Sequence, residues 1–293
     1  MESVQRARRG LAIFIVVLAA TSVPLQYGIA KNGMEPVLAV LLTFSPAFAS
    51  IVARLIMNDG FRDISFKLDR RTFRGMLYGL LYPIIVGIPA FTTVWALGLA
   101  DFQALSKHEL GFPVPGNTPA ERVAAGALVS VSVGLLAMAI LAIGEELGWR
   151  GFMLKRLIDA RIPRPMLTSA IVWALWHAPL VVSGQYNPSP RPVISFVMFF
   201  ISLTGTAWVM ARLRLSTGSV WPPIALHAAW NSIIVQFFSA CTQGEMATFW
   251  AGESGVFVAA AVAVTVYIAY RVFGDKPDRQ GREHTSRVKH EPS

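Results

Sequence analysis

Charge is scarce in this 293-residue chain: 15% of its residues are Asp, Glu, Lys or Arg, against 54% hydrophobic. Soluble domains carry about 25% charged residues, so the polar surface of a soluble globule is missing. Cysteine is nearly absent too. Cys241 stands alone, which excludes an intrachain disulfide and a thiolate metal cluster. There is no His-Glu-x-x-His run and no Gly-x-Ser-x-Gly elbow, so two widespread hydrolase signatures are missing. The net charge is +9, yet no basic stripe with interleaved aromatics is present, which argues against nucleic acid as a partner. No internal repeat and no second, soluble domain is visible.

What the chain does have is a series of apolar runs of roughly 20 residues, the length that crosses hydrocarbon as a helix. The fold class that follows is all-α, a polytopic helical membrane protein. About eight transmembrane helices are expected, at 10–30, 36–57, 74–99, 122–146, 166–183, 192–211, 217–240 and 247–272. Arg6, Arg8 and Arg9 precede the first run, which continues towards Ile29; an uncleaved span is expected there rather than a signal peptide. The organisation expected is helices 1–3 within 1–121, a four-helix core at 122–240, helix 8 within 241–273, and a disordered basic tail at 274–293.

Basic residues sort by side. With the N-terminus inside, 22 of the 26 Lys and Arg fall in the groups at 6–9, 54–74, 150–164, 212–214 and 271–289, leaving Lys31, Lys107, Arg122 and Arg191 opposite. Cationic loops stay cytoplasmic, so both termini are expected there, in a multi-pass protein of a prokaryotic cell membrane. The 58–73 loop, with Phe61, Ile64, Phe66 and Leu68, reads as an interfacial segment beside anionic headgroups. In the irregular 101–121 loop, Thr118, Pro119 and Glu121 have the spacing of a capping box that opens a helix. Gly75 and Gly79, like Gly144 and Gly148, have the small-xxx-small spacing of close helix contacts.

The anomaly is Glu145-Glu146, two adjacent carboxylates at the end of an apolar run, with Arg150 a turn beyond. Charge at the edge of hydrocarbon is costly and marks a candidate site. The two glutamates project about 100° apart on a helix, so they cannot share one role. The Glu146 and Arg150 spacing suits an ion pair, and the amphipathic pattern carries the helix on towards Pro163. Glu145 is then left to face the interior as a base for water, although the reverse split is equally compatible with the sequence. His177 stands four residues after Trp173, and Pro179 should kink or end the helix just beyond it. His227 and Asn231 share a helix face and offer two donors for an oxyanion. Alone, each is an ordinary interhelical hydrogen-bonder; together they suggest one water-activating site. Glu145, His177 and His227 would equally serve as ligands of a zinc ion, with Asn231 behind them.

These three motifs, Glu145-Glu146-x-x-x-Arg150, Trp173-x-x-x-His177 and His227-x-x-x-Asn231, resemble those of the CPBP family: the CAAX proteases and bacteriocin-processing or Abi enzymes, including Rce-type prenyl-protein endopeptidases. The resemblance covers about 118–240. It implies an intramembrane endopeptidase acting on a membrane-associated peptide or protein, with Glu145 and His177 activating water, His227 and Asn231 forming the oxyanion hole, and Glu146 and Arg150 in support. It implies either a zinc-dependent or a glutamate-dependent reaction. Trp173 departs from the usual Phe of the second motif. Two other readings are a non-catalytic immunity or scaffold protein and a transporter using the same polar groups. The clustering of those groups on three helices, with no path through the other spans, argues against transport.

Overall fold

The computed structural model describes residues 2–273; the tail expected at 274–293 lies outside the described residues. The described chain is built of helices. Six are long and apolar enough to cross a membrane: α1 (Glu2–Asn32), α2 (Pro36–Met57), α3 (Arg70–Ala96), α4 (Pro119–Asp159), Pro165–Val182 and α7 (Pro192–Thr217). Pro165–Val182 is made of two helices, α5 (Pro165–Trp176) and α6 (Ala178–Val182).

The expected count of eight is met only in part. The seventh run forms α8 (Trp221–Ala229) and changes to π-helical geometry over Trp230–Phe238. The eighth is broken: a short α9 (Ala247–Trp250) precedes the 251–255 turn, where Gly252 takes a positive φ of 89°, before α10 (Val256–Phe273) begins. The sixth run outlasts its expected end at 211, because Arg214 is buried and Gly218 closes the helix in the left-handed region.

The boundaries follow from local chemistry. The Asp69 carboxylate caps α3 by accepting the Thr72 N–H at 2.8 Å. Thr118 and Glu121 form the expected capping box at the start of α4. That helix continues past the glutamates to Asp159, widened into π turns at Ser130–Gly134 and Trp149–Met153. A π turn inside an α-helix is rare and recurs at functional sites. In the 101–121 loop, β1 (Asp101–Phe102) pairs antiparallel with β2 (Thr242–Gln243), clasping the ends of two helices together.

Close approach requires the glycines. A Cβ on Gly148 would overlap Pro46, and one on Gly144 would stand 2.7 Å from the Thr43 carbonyl oxygen, so α4 meets α2 backbone to backbone. Gly79 does the same against α8, where a Cβ would lie 3.0 Å from both Leu226 N and Pro222 O. Apolar side chains cover the outside, and the largely apolar core also encloses charge. Val16, Val37, Leu136, Val182, Val193 and Val272 are exposed, while Arg54, Glu145, Glu146, Arg150 and Glu253 are buried, the arrangement expected where hydrocarbon is the solvent. The 58–69 loop is drawn onto the helix ends: Arg54 pairs with Asp63, Arg156 with Asp59 at 2.8 Å, and Arg6 with Asp59 at 2.9 Å. Phe61, Phe66 and Leu68 remain exposed on it.

Candidate active site

Counting from the helix ends that carry these basic loops, His227 is six residues inside α8 and His177 twelve residues beyond Pro165. At 1.5 Å per residue both lie about 9–18 Å in. The site therefore lies around the middle of the bundle, with His227 on the side of the basic loops.

Glu145 and Glu146 sit in the last α-turn before the Trp149–Met153 π turn, and both are buried. They face different partners. Glu146 Oε1 accepts from Arg150 Nη1 at 2.7 Å and from His227 Nδ1 at 2.9 Å. The ion pair is fully buried on both sides. The spacing of residues 146 and 150 foretold the first contact; the second spans 81 residues of sequence and had no signal. Glu145 Oε2 accepts from two indoles, Trp149 Nε1 at 3.3 Å and Trp173 Nε1 at 2.7 Å. Its Oε1 takes no hydrogen-bond partner among the described residues.

Trp173 is the hub. Its ring meets His177 edge-on with centroids 5.4 Å apart, meets His227 at 5.2 Å, and carries the Arg150 guanidinium 4.5 Å from its centre. A phenylalanine here would keep the packing and lose the N–H that binds Glu145. The i, i+4 spacing of Trp173 and His177 accounts for their ring contact, whereas the indole N–H bond to Glu145 has no local signal.

His177 stands at the helix break expected at Pro179, between α5 and α6. Pro179 has no N–H to give the Leu175 carbonyl, and the chain tightens so that His177 N–H donates to Ala174 O at 3.3 Å. The Trp173 carbonyl accepts from the His177 ring at Nδ1, 3.0 Å away, and the Trp176 carbonyl accepts from Gln26 Nε2 of α1 at 2.6 Å. A carbonyl only accepts, so Nδ1 holds the proton and Nε2 of a neutral His177 carries a lone pair. Asn231 is half-buried at the second position of the π stretch, and its amide takes no hydrogen-bond partner among the described residues.

The zinc alternative does not fit these donors. A catalytic zinc site needs three protein ligands converging at about 2 Å from the ion. No group of three His, Cys, Asp or Glu among the described residues is placed to hold a metal ion.

The geometry thus brings Glu145, Arg150, His177 and His227 around one indole, with Glu146 joining Arg150 to His227 and Asn231 a turn from His227. A model of the Rce1-like family, described as type II CAAX prenyl endopeptidase, matches residues 127–233. The match covers 107 of the 293 residues. All six residues lie within it. With its six long apolar helices, this likeness to a membrane-protease family makes the chain an integral membrane protein. No curated protein matches the chain.

Two residues outside the expected set border the site. The Tyr186 ring is 6.0 Å from the His177 ring, and its hydroxyl donates to Glu253 at 2.7 Å. Burial, followed by the Glu253 charge, pushes the Tyr186 phenol well above its ordinary range, so it stays a donor. Nothing in the spacing of the sequence pointed to either.

Proposed function

We propose that the protein is an intramembrane endopeptidase that hydrolyses a peptide bond of a membrane-associated substrate, with its basic loops and both termini on the cytoplasmic side. The observation that carries this reading is the unequal use of the Glu145 carboxylate: one oxygen is held by two indole N–H groups and the other is left open. A fixed carboxylate with a free lone pair is what a general base requires.

Water is deprotonated by Glu145 Oε1, assisted by His177 Nε2, and its oxygen attacks the carbonyl carbon. The carbonyl π electrons move onto oxygen, giving a tetrahedral oxyanion. His227 Nε2 and the Asn231 amide donate to that oxygen. Because Nδ1 of His227 already gives its hydrogen to Glu146, an Nε2–H donor makes this ring an imidazolium, and Glu146 balances its charge. Arg150 holds Glu146 in place from the other side. Collapse breaks the C–N bond, and the proton taken from water passes to the departing amine. The reaction is routed through no metal.

The family description makes a peptide ending in a prenylated cysteine and three further residues the first substrate to try. Purified protein in liposomes should cleave it, and the unprenylated peptide tells whether the lipid is required. Glu145→Ala, His177→Ala and His227→Ala should fold and lose turnover. Undiminished cleavage by Glu145→Ala would remove the base assignment. Absence of cleavage by the wild type, with a biological phenotype kept by all three variants, would favour a scaffold or immunity role.

A further inference from the structure

Glu253 is a buried carboxylate that the reaction above does not use. It lies in the 251–255 turn, is 3% exposed, and falls outside the residues of the family match. Both its oxygens are engaged. Trp230 Nε1 donates to Oε1 at 2.7 Å, while Tyr186 Oη and Asn187 Nδ2 donate to Oε2 at 2.7 and 2.9 Å. All three donors are neutral, and together they meet the condition on which a carboxylate can be buried at all.

The donors come from two separate places, and each borders the candidate site. Tyr186 and Asn187 belong to the 183–191 loop between α6 and α7. Tyr186 packs on His177 and also on Phe199, with ring centroids 6.0 Å apart in each case. Asn187 has a φ of 50°, a conformation that non-glycine residues rarely adopt unless their surroundings hold them there. Trp230 is three residues after His227, directly before Asn231, and begins the π stretch. Its ring stacks on Tyr82. One carboxylate thus joins the loop beside the proposed water-activating histidine to the helix that carries both proposed oxyanion donors.

We propose that Glu253 is a positioning residue of the site: through Tyr186 and Asn187 it fixes the 183–191 loop as the wall beside His177, and through Trp230 it fixes the rotation of α8 that presents His227 and Asn231. The role as written rests on the protease reading. It predicts a division of effects. Tyr186 forms a wall, so Tyr186→Phe raises KM with little change in kcat. Trp230 aligns the oxyanion donors, so Trp230→Phe lowers kcat with little change in KM. Glu253→Ala does both.

The test combines steady-state cleavage in liposomes with hydrogen exchange of the full-length protein. Glu253→Ala should lower kcat/KM by about 10-fold or more, with Glu253→Gln intermediate because its amide keeps one acceptor oxygen. The Glu253→Ala/Tyr186→Phe double variant should have a KM no worse than Glu253→Ala alone, since residues acting through one contact are not additive. Amides of 184–191 should exchange roughly 10-fold or more faster in Glu253→Ala, while those of α2 stay unchanged. Unchanged exchange across 184–191, kinetic constants within about 2-fold of wild type, or additive KM effects would each overturn the proposal. If Glu253→Ala does not fold, Glu253→Gln and Tyr186→Phe carry the same comparisons. A wild type that cleaves nothing defeats the protease reading instead, and the exchange data still decide whether Glu253 tethers the loop.

Discussion

Trp173 donates its indole N–H to Glu145 Oε2 at 2.7 Å, joining two helices across 28 residues of sequence. The bond fixes the carboxylate plane and leaves Oε1 as the oxygen open to water. Trp173→Phe keeps the ring beside His177 and His227 and removes only this donor. A hydrogen bond to a charged group is worth about 1.5–3 kcal/mol, so kcat should fall roughly 10- to 100-fold. Expression and melting temperature should stay close to wild type. An unchanged kcat would show that Trp149 alone orients the base.

Glu146 and Arg150 are wholly enclosed and 2.7 Å apart. Removing one partner strands the other charge, at a cost of about 3–5 kcal/mol. Glu146→Leu and Arg150→Met should each lower thermal stability in detergent sharply. The double variant should lose less than the sum of the two, because neither member of this pair is left buried without the other. The Glu146 contact to His227 makes Glu146→Leu the worse of the single variants for turnover.

How much of this was legible depends on how far the partners stand apart in sequence. The paired glutamates, the Glu146–Arg150 pairing, the Thr118 cap, the helix break at Pro179 and the extension of α4 beyond Gly148 are all local patterns, and each could be read directly. The Glu146–His227, Glu145–Trp173 and Tyr186–Glu253 contacts join residues brought together only by packing, and no periodicity encodes them. The helix count suffered for a related reason. Hydropathy sees apolar length, but not the change to π geometry at Trp230 or the turn at Gly252. Arg214 was read as a loop cation, whereas its guanidinium donates to the Arg150 and Asp63 carbonyls inside the bundle.

The α2–α4 contact offers a stability test away from the chemistry. A methyl group at Gly148 would overlap Pro46, whose own backbone is locked within α2. Gly148→Ala should cost about 1–3 kcal/mol, as overpacking of a tight contact does. A lower melting temperature in detergent, with KM unchanged for the molecules that remain folded, is the expected result. An unchanged melting temperature would mean that α2 can withdraw freely.

Metal removal gives a further prediction. Since Glu145, His177 and His227 form no ligand set, cleavage should survive incubation with a strong zinc chelator. Metal analysis of active protein should find well under one ion per chain. Loss of activity on chelation, restored by zinc, would overturn the assignment of Glu145 as the base.

Cys241 reports on folding. Burial, with the Glu109 charge, pushes its thiol up to about 11. The thiolate is the reactive form, so in the folded protein a maleimide at pH 8 should label it slowly. Labelling should accelerate when denaturant opens the chain, where the thiol ionises in its ordinary range. The rate should also climb as pH approaches 11. Rapid labelling of native protein at pH 8 would contradict the buried position.

The π turns carry a consequence for how this core can change. Each residue of an α-helix advances the rotation by about 100°, so the length of a helix sets the compass bearing of whatever follows. In the Trp230–Phe238 stretch that bearing links Asn231 at one end to the Cys241 and Thr242 clasp at the other. Deleting a single residue there would let the stretch close towards ordinary α geometry, and the tighter winding of the remaining residues would offset much of the rotation that the lost residue carried. An α-helix has no such reserve: the loss of one residue turns everything beyond it by about 100°, whereas this stretch can give up a residue and keep its two ends near their present bearings.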